Sequence, residues 1–226
     1  MRSFWRVVWI IVRKDLAIEA RSRELINTTV FFALSCVIIF AVSFVREKPL
    51  GDAAAGILWV AIAFAGTLAL GRTFERERYA DTLRALLLAP SDRPAIYVGK
   101  LIGILVLLAA TEVVVVPLVA LLFQAGLFGH PLLMAALLVF GTVGFACVGT
   151  LFAAMLARAR SRDVLLPVLL YPVTIPVMIA GVRGTSALLD ATPQLGMARL
   201  WLLLLVCFDV VFLTLSLWTF DPVMTE

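Results

Sequence analysis

Six runs of almost unbroken apolar residues, each near bilayer-crossing length, leave this chain few ways to fold. They lie at Ile26–Val45, Ala53–Gly71, Leu101–Phe123, Leu132–Leu156, Val164–Val182 and Arg199–Phe220. A hydrocarbon core of roughly 30 Å takes about 20 residues of helix to cross. Within it, every backbone amide and carbonyl must find its partner inside the protein, which only helices and closed barrels allow. Barrel strands alternate apolar and polar residues, whereas these runs are continuous. The fold class that follows is an all-α membrane protein with six transmembrane helices. The chain has 226 residues, 63% hydrophobic and 15% charged. Soluble domains are about half apolar and a quarter charged, so one compact bundle takes up the length and no large soluble domain fits beside it.

The cations are placed asymmetrically. Arg2, Arg6, Arg13, Lys14, Arg21 and Arg23 precede the first run. Arg72, Arg76, Arg78, Arg84, Arg93 and Lys100 fill the second loop, and Arg158, Arg160 and Arg162 the fourth. The remaining loops hold only Arg46, Lys48, Arg183 and the boundary residue Arg199. Loops rich in Lys and Arg stay in the cytoplasm. The alternation therefore agrees with six spans and places both termini there.

Residues 1–25 are expected to form an interfacial helix. Phe4, Val8, Val12 and Leu16 make one stripe with Trp5 and Trp9 beside it, and Arg2, Arg6 and Arg13 lie on another face. Tryptophan and arginine sorted in this way suit a helix in the headgroup plane. Arg6 interrupts the apolar stretch and no small-residue cleavage site follows, so the segment is expected to belong to the mature protein rather than to a signal peptide. The remainder, 26–226, is the six-span unit.

Two stretches depart from plain spans. The first is the loop 72–100, GRTFERERYADTLRALLLAPSDRPAIYVGK counted from Gly71. In it Tyr79, Leu83, Leu86, Leu87 and Pro90 recur at helical spacing while Asp81 and Arg84 fall off the stripe. An apolar ridge on the watery side of a membrane needs a groove in which to bury itself, and a separate subunit is the expected owner of that groove. The second is 164–198. There Pro167, Pro172 and Pro176 lie within the fifth run, with Gly181 and Gly184 after them. Each proline removes a backbone donor and kinks a helix, so a broken span with an outer segment is expected. A kinked span followed by a plain loop is the alternative.

Ionisable groups inside the runs are few. Glu112 is near the middle of the third and Asp209 near the middle of the sixth. Facing lipid, either would cost about 2.5–3.5 kcal/mol. Each is expected to face protein or water, with hydroxyls such as Thr111 or Thr214 as partners, or to belong to a polar path. His130, the only histidine, stands in the short loop LFGHP and cannot by itself make a multi-histidine metal site. Cys36, Cys147 and Cys207 lie inside apolar runs at no metal-binding spacing and are expected to act as small hydrophobes. The chain contains no G-x-x-x-x-G-K-[ST], H-E-x-x-H, G-x-S-x-G or C-x-x-C pattern. A catalytic role, direct ATP binding by a P-loop and a nucleic-acid partner therefore have no residues to rest on.

The loop FERERYADTLRALLLAPSDRPAIYVGK resembles the cytoplasmic loop of type-two ABC export permeases. The matching features are Glu75–Glu77, Thr82-Leu83, Leu86-Leu87, Pro90 and the lysine, Lys100, that opens the third span. Asp81 stands where those permeases usually have glycine. GILWVAIAFAGTLALGRTFERE, PLVALLF and LLPVLLYPVTIPVMIAGV extend the likeness, so the chain resembles the haem exporter protein B (CcmB) family, permease subunits of a cytochrome c maturation ABC transporter.

The resemblance implies a non-catalytic subunit of the bacterial cytoplasmic membrane. Tyr79, Thr82, Leu83, Leu86, Leu87 and Pro90 would form its ATPase-coupling helix. The implied partners are a cytoplasmic ABC ATPase subunit that supplies ATP hydrolysis, a second copy of the chain, a haem-handling membrane subunit, a small accessory membrane subunit and a haem chaperone. No cofactor is expected on this chain; haem is the implied substrate of the complex, and whether it crosses this subunit is left open. Export of a lipid, glycan or drug, or a non-transporting scaffold role in cytochrome assembly, are the alternatives.

Overall fold

A computed structural model of the chain describes residues 2–44, 51–73, 93–157, 159 and 161–225. Among these, seven helices are present: α1 (Arg2–Ser22), α2 (Glu24–Phe44), α3 (Gly51–Thr73), α4 (Arg93–Leu122), α5 (Pro131–Met155), α6 (Arg162–Leu189) and α7 (Leu195–Thr225). Helices α2 to α7 are long and apolar enough to cross a membrane, one for each run in the sequence. The expected ends hold to within a few residues except at the start of the third and the ends of the fifth and sixth. There the helices extend beyond the apolar core, because water-facing turns need no hydrophobic residues.

The bundle is two interlocked groups. Helices α2, α3 and α4 touch one another, as do α5, α6 and α7. The groups join where α3 meets α5 and α6 and where α4 meets α5 and α7. α3 is the central element: 67% of its most apolar window is buried, against 17% for α2 and for α7. Its alanines and glycines explain this position. Ala54, Ala55, Ala61, Ala63, Ala65 and Ala69 are all buried, and small side chains let helix backbones approach closely where hydrophobicity gives no drive to associate. α2 and α7 carry the large exposed side chains, among them Phe31, Ile39, Val42, Leu203, Val210 and Trp218. This is the expected dress of helices facing lipid tails.

Two non-glycine residues turn the chain with left-handed backbones. Arg23, at φ 50°, separates α1 from α2. Gln124, also at φ 50°, ends α4. There the amide of Ala125 donates to the carbonyl of Ala120 at 3.1 Å, the closing bond of a Schellman turn.

The fifth span is a correction. In place of a broken helix with an outer segment over 164–198, α6 runs uninterrupted from Arg162 to Leu189 with Pro167, Pro172 and Pro176 inside it. Bends at 190–192 and two irregular residues then lead into α7. The amide of Asp190 donates to Ser186 at 3.1 Å and that of Gln194 to Ala187 at 2.8 Å, so the connection is folded onto the end of α6. The physical reason is the environment. In water a proline invites the flanking amides to leave the helix, whereas in an apolar surrounding they have no better partner. Pro172 and Pro176 also point outward, where a pyrrolidine ring displaces no packed neighbour.

Candidate functional site

The expected ATPase-coupling residues Tyr79, Thr82, Leu83, Leu86, Leu87 and Pro90 lie outside the described residues. What is described is the frame that holds their loop. It leaves α3 after Thr73 and enters α4 at Arg93, so any force on it acts on these two helices first.

Charged side chains gather at this end of the bundle. Arg72, in the last turn of α3, pairs with Glu24 at the start of α2 at 2.9 Å. Both are exposed, and such pairs contribute about 0–1 kcal/mol. A stronger contact joins α4 to α1. Lys100 Nζ lies 2.9 Å from Asp15 Oδ2, with the lysine side chain only 4% exposed. One residue away, Gly99 lies directly beneath Ile11: a Cβ there would be 2.9 Å from the Ile11 side chain. Val8 and Val12 bury against Ala95 in the same seam. The expected stripe Phe4–Val8–Val12–Leu16 is real, but its partner is α4 rather than lipid. Trp5, Trp9, Arg6 and Arg13 remain exposed. Arg162, opening α6 and buried, donates to the carbonyl of Leu70 on α3 at 3.4 Å. The cationic segments thus meet at one end, and Phe220 on α7 packs against Tyr97 on α4 there.

α3 is locked into the second group by Trp59. The indole is 1% exposed, and its Nε1–H donates to Thr185 Oγ1 on α6 at 3.0 Å. Its ring occupies space that only glycine leaves: a Cβ at Gly141 on α5 would lie 2.1 Å from it and one at Gly181 on α6 2.4 Å. Leu70 fits over Gly149 in the same way, with 2.2 Å to a Cβ there. α3 is therefore keyed at two levels, and sliding it requires α5 and α6 to follow.

The intramembrane acids separate. Glu112 on α4 accepts a hydrogen bond from Thr142 Oγ1 on α5. The expected hydroxyls are not the partners: Thr111 donates to its own helix at Leu107 and Thr214 to Val210. A neighbour in sequence points about 100° away on a helix, so the donor comes from across the interface. Asp209 on α7 is buried, and a Cβ on Gly144 of α5 would lie 2.6 Å from its Oδ1. Neither oxygen has a hydrogen-bond partner among the described residues. A third polar group lies nearer the charged end. Tyr97 Oη is 2.9 Å from both the carbonyl oxygen, to which it donates, and the Sγ of Cys147, and Ser216 Oγ is 3.8 Å from that sulfur. Asp209 and the Tyr97 group are near enough for the carboxyl to act electrostatically on Cys147, and among the described residues no three His, Cys, Asp or Glu gather as metal ligands. His130 starts α5 with its carbonyl, which accepts from the amide of Met134 at 3.0 Å.

Trp59, Asp15, Tyr97 and Arg162 were not singled out from the sequence. Tyr97 and Arg162 had a signal, since each is a polar group placed within a few residues of an apolar run, whereas Asp15 sits among other charges and had none. Trp59 had none, because its role appears only once Gly141 and Gly181 are known to face it.

Residues 6–224 match the family described as CcmB protein. Heme exporter protein B of Haemophilus influenzae is 29% identical over 170 residues, covering 75% of this chain and 76% of that one. The protein of the same name from Pseudomonas aeruginosa is 26% identical over 193 residues, 85% and 86% of the two chains. That of Rhodobacter capsulatus is 28% identical over 182 residues, 79% and 83%. With nearly the whole length matched, the chain belongs to the CcmB protein family.

Proposed function

We propose that this chain is the non-catalytic, membrane-spanning permease subunit of an ABC transporter for haem export in cytochrome c maturation. The observation that carries the reading is the family match over residues 6–224. The names of the relatives, heme exporter protein B, supply the substrate class. A separate cytoplasmic ATPase subunit binds and hydrolyses ATP. In this reading the end of the bundle bearing α1 faces the cytoplasm, which the clustered Lys and Arg support. Further partners in this reading are a second copy of the chain, a haem-handling membrane subunit, a small accessory membrane subunit and the haem chaperone. The complex resides in the bacterial cytoplasmic membrane.

Mechanically, the apolar ridge Tyr79–Leu83–Leu86–Leu87–Pro90 seats in the ATPase and moves as its nucleotide sites close. That motion enters α3 and α4 together. Through Trp59, α3 passes it to α5 and α6, reaching Thr185 near the opposite end. Through Asp15 and Lys100, α4 carries α1 along. At that opposite end the displacement is used to release the haem-loaded chaperone.

Leu83→Asp and Leu86→Asp test this directly. Each puts a charge on the ridge without touching a span. The variants are expected to insert normally and to lose ATP-dependent assembly of c-type cytochromes by tenfold or more, on the order of 1.4 kcal/mol of coupling. Normal cytochrome assembly in both would remove the coupling role.

A further inference from the structure

We propose that the outward face of α1 is a binding site for anionic phospholipid headgroups. The inference stands on how this helix sorts its charges and does not depend on the transport reading. Its two acids turn toward the bundle and are engaged there. Asp15 pairs with Lys100 at 2.9 Å, and Glu19 Oε1 accepts from the backbone amide of Ile26 at 2.9 Å. Ile11 is fixed over Gly99, so the rotation of α1 about its own axis is set by the protein.

What this orientation leaves outside is cationic and aromatic. Trp5 and Trp9, one turn apart, are 60% and 66% exposed. Arg6 and Arg13, two turns apart, are exposed beside them. No carboxylate of α1 shares that face. Guanidinium groups pair with phosphate through two parallel hydrogen bonds, and indoles favour the headgroup layer. A zwitterionic headgroup also offers a phosphate, but its own cation offsets that charge, whereas a net negative headgroup leaves the charge for Arg6 and Arg13. The position agrees, since α1 ends at Ser22 and the first span begins at Glu24. Val8, Ile11, Val12 and Asp15 also pack on Ala95, Gly99 and Lys100, immediately before the apolar run that begins at Leu101, which sets the middle of α1 at the level where that span leaves the hydrocarbon.

The test uses the full chain in detergent, titrated with phosphatidylglycerol or phosphatidylcholine in mixed micelles. Binding is counted by native mass spectrometry and checked by thermal shift. Phosphatidylglycerol should bind selectively and raise the melting temperature. Arg6→Gln/Arg13→Gln should weaken that binding about thirtyfold, at five- to sixfold for each charge near an anionic surface. Arg6→Lys/Arg13→Lys should retain most of it. Arg183→Gln/Arg199→Gln, at the opposite end, should change it less than twofold.

Equal binding of the two lipids, or phosphatidylglycerol binding unchanged in the glutamine variant, overturns the site. So does loss of a copurifying ATPase in that variant with lipid binding intact, which would make the face a protein dock. Should the variant fail to fold, salt decides on the wild type. At about 1 M, where the screening length is about 3 Å, the selectivity should largely vanish, and selectivity that persists undiminished overturns the proposal.

Discussion

Glycine and tryptophan do at residue scale what a larger side chain could not. Gly141 and Gly181 come from different helices, yet both leave room for the same indole. Adding a methyl at either forces Trp59 or a backbone to move, and overpacking of this kind costs roughly 1–3 kcal/mol. Gly141→Ala is therefore expected to lower the melting temperature of the detergent-purified chain measurably. Trp59→Phe in the same chain should restore much of the loss by vacating the space. An unchanged melting temperature for Gly141→Ala would show that the indole does not occupy that position. Glu112 belongs to the same scale. The sequence announced that a carboxyl in an apolar run needs a partner, and one is present. Its identity, Thr142, was illegible because it depends on which helix lies opposite.

At the scale of elements, two contacts distinguish this bundle from six helices in a row. The first is the α1–α4 seam. Lys100 is almost completely buried while Asp15 keeps some water contact, so removing one partner strands a charge. Breaking a fully buried pair costs about 3–5 kcal/mol, and the partial exposure of Asp15 puts the expected loss for Lys100→Met toward the lower end or below it. A double-mutant cycle with Asp15→Asn should return a coupling of about 1 kcal/mol or more. A coupling near zero would mean that α1 is held by Val8, Ile11 and Val12 alone. The second is α6. Its continuity predicts that single cysteines placed from 164 to 187 will label with one uninterrupted helical period. A jump in phase at Pro172 would contradict the helix. The number of spans was legible because hydrocarbon thickness dictates it, whereas the ends that run on past the apolar core, at Arg93, Leu189 and Thr225, were not. The state of the proline-rich run was not, because proline's effect depends on whether water competes for the freed groups. The stripe on α1 was legible as a stripe, but a periodicity says only that one face is covered, and here α4 covers it instead of lipid.

For the whole molecule, the proposed function makes the arrangement a lever with two outputs. The loop of residues 74–92 joins α3, keyed into α5 and α6, to α4, which carries α1. The family assignment and the six spans fit a membrane subunit driven from outside, and the motifs that would let it hydrolyse ATP alone by a P-loop are absent from its sequence. The charge pattern predicts the sidedness, and the C-terminal part of α7 lies at the same end of the bundle as the α1–α4 seam, where Phe220 packs against Tyr97. The most direct test of the lever is chemical cross-linking from a single cysteine at Leu83 in an otherwise cysteine-free chain, in membranes containing the ATPase subunit. The account predicts a cross-link to the ATPase whose yield changes between nucleotide-free and ATP-bound states, and protection from impermeant thiol reagents added outside the cell. Labelling of that cysteine from outside, or the absence of any cross-link from it and from a second cysteine at Leu86, would contradict the account.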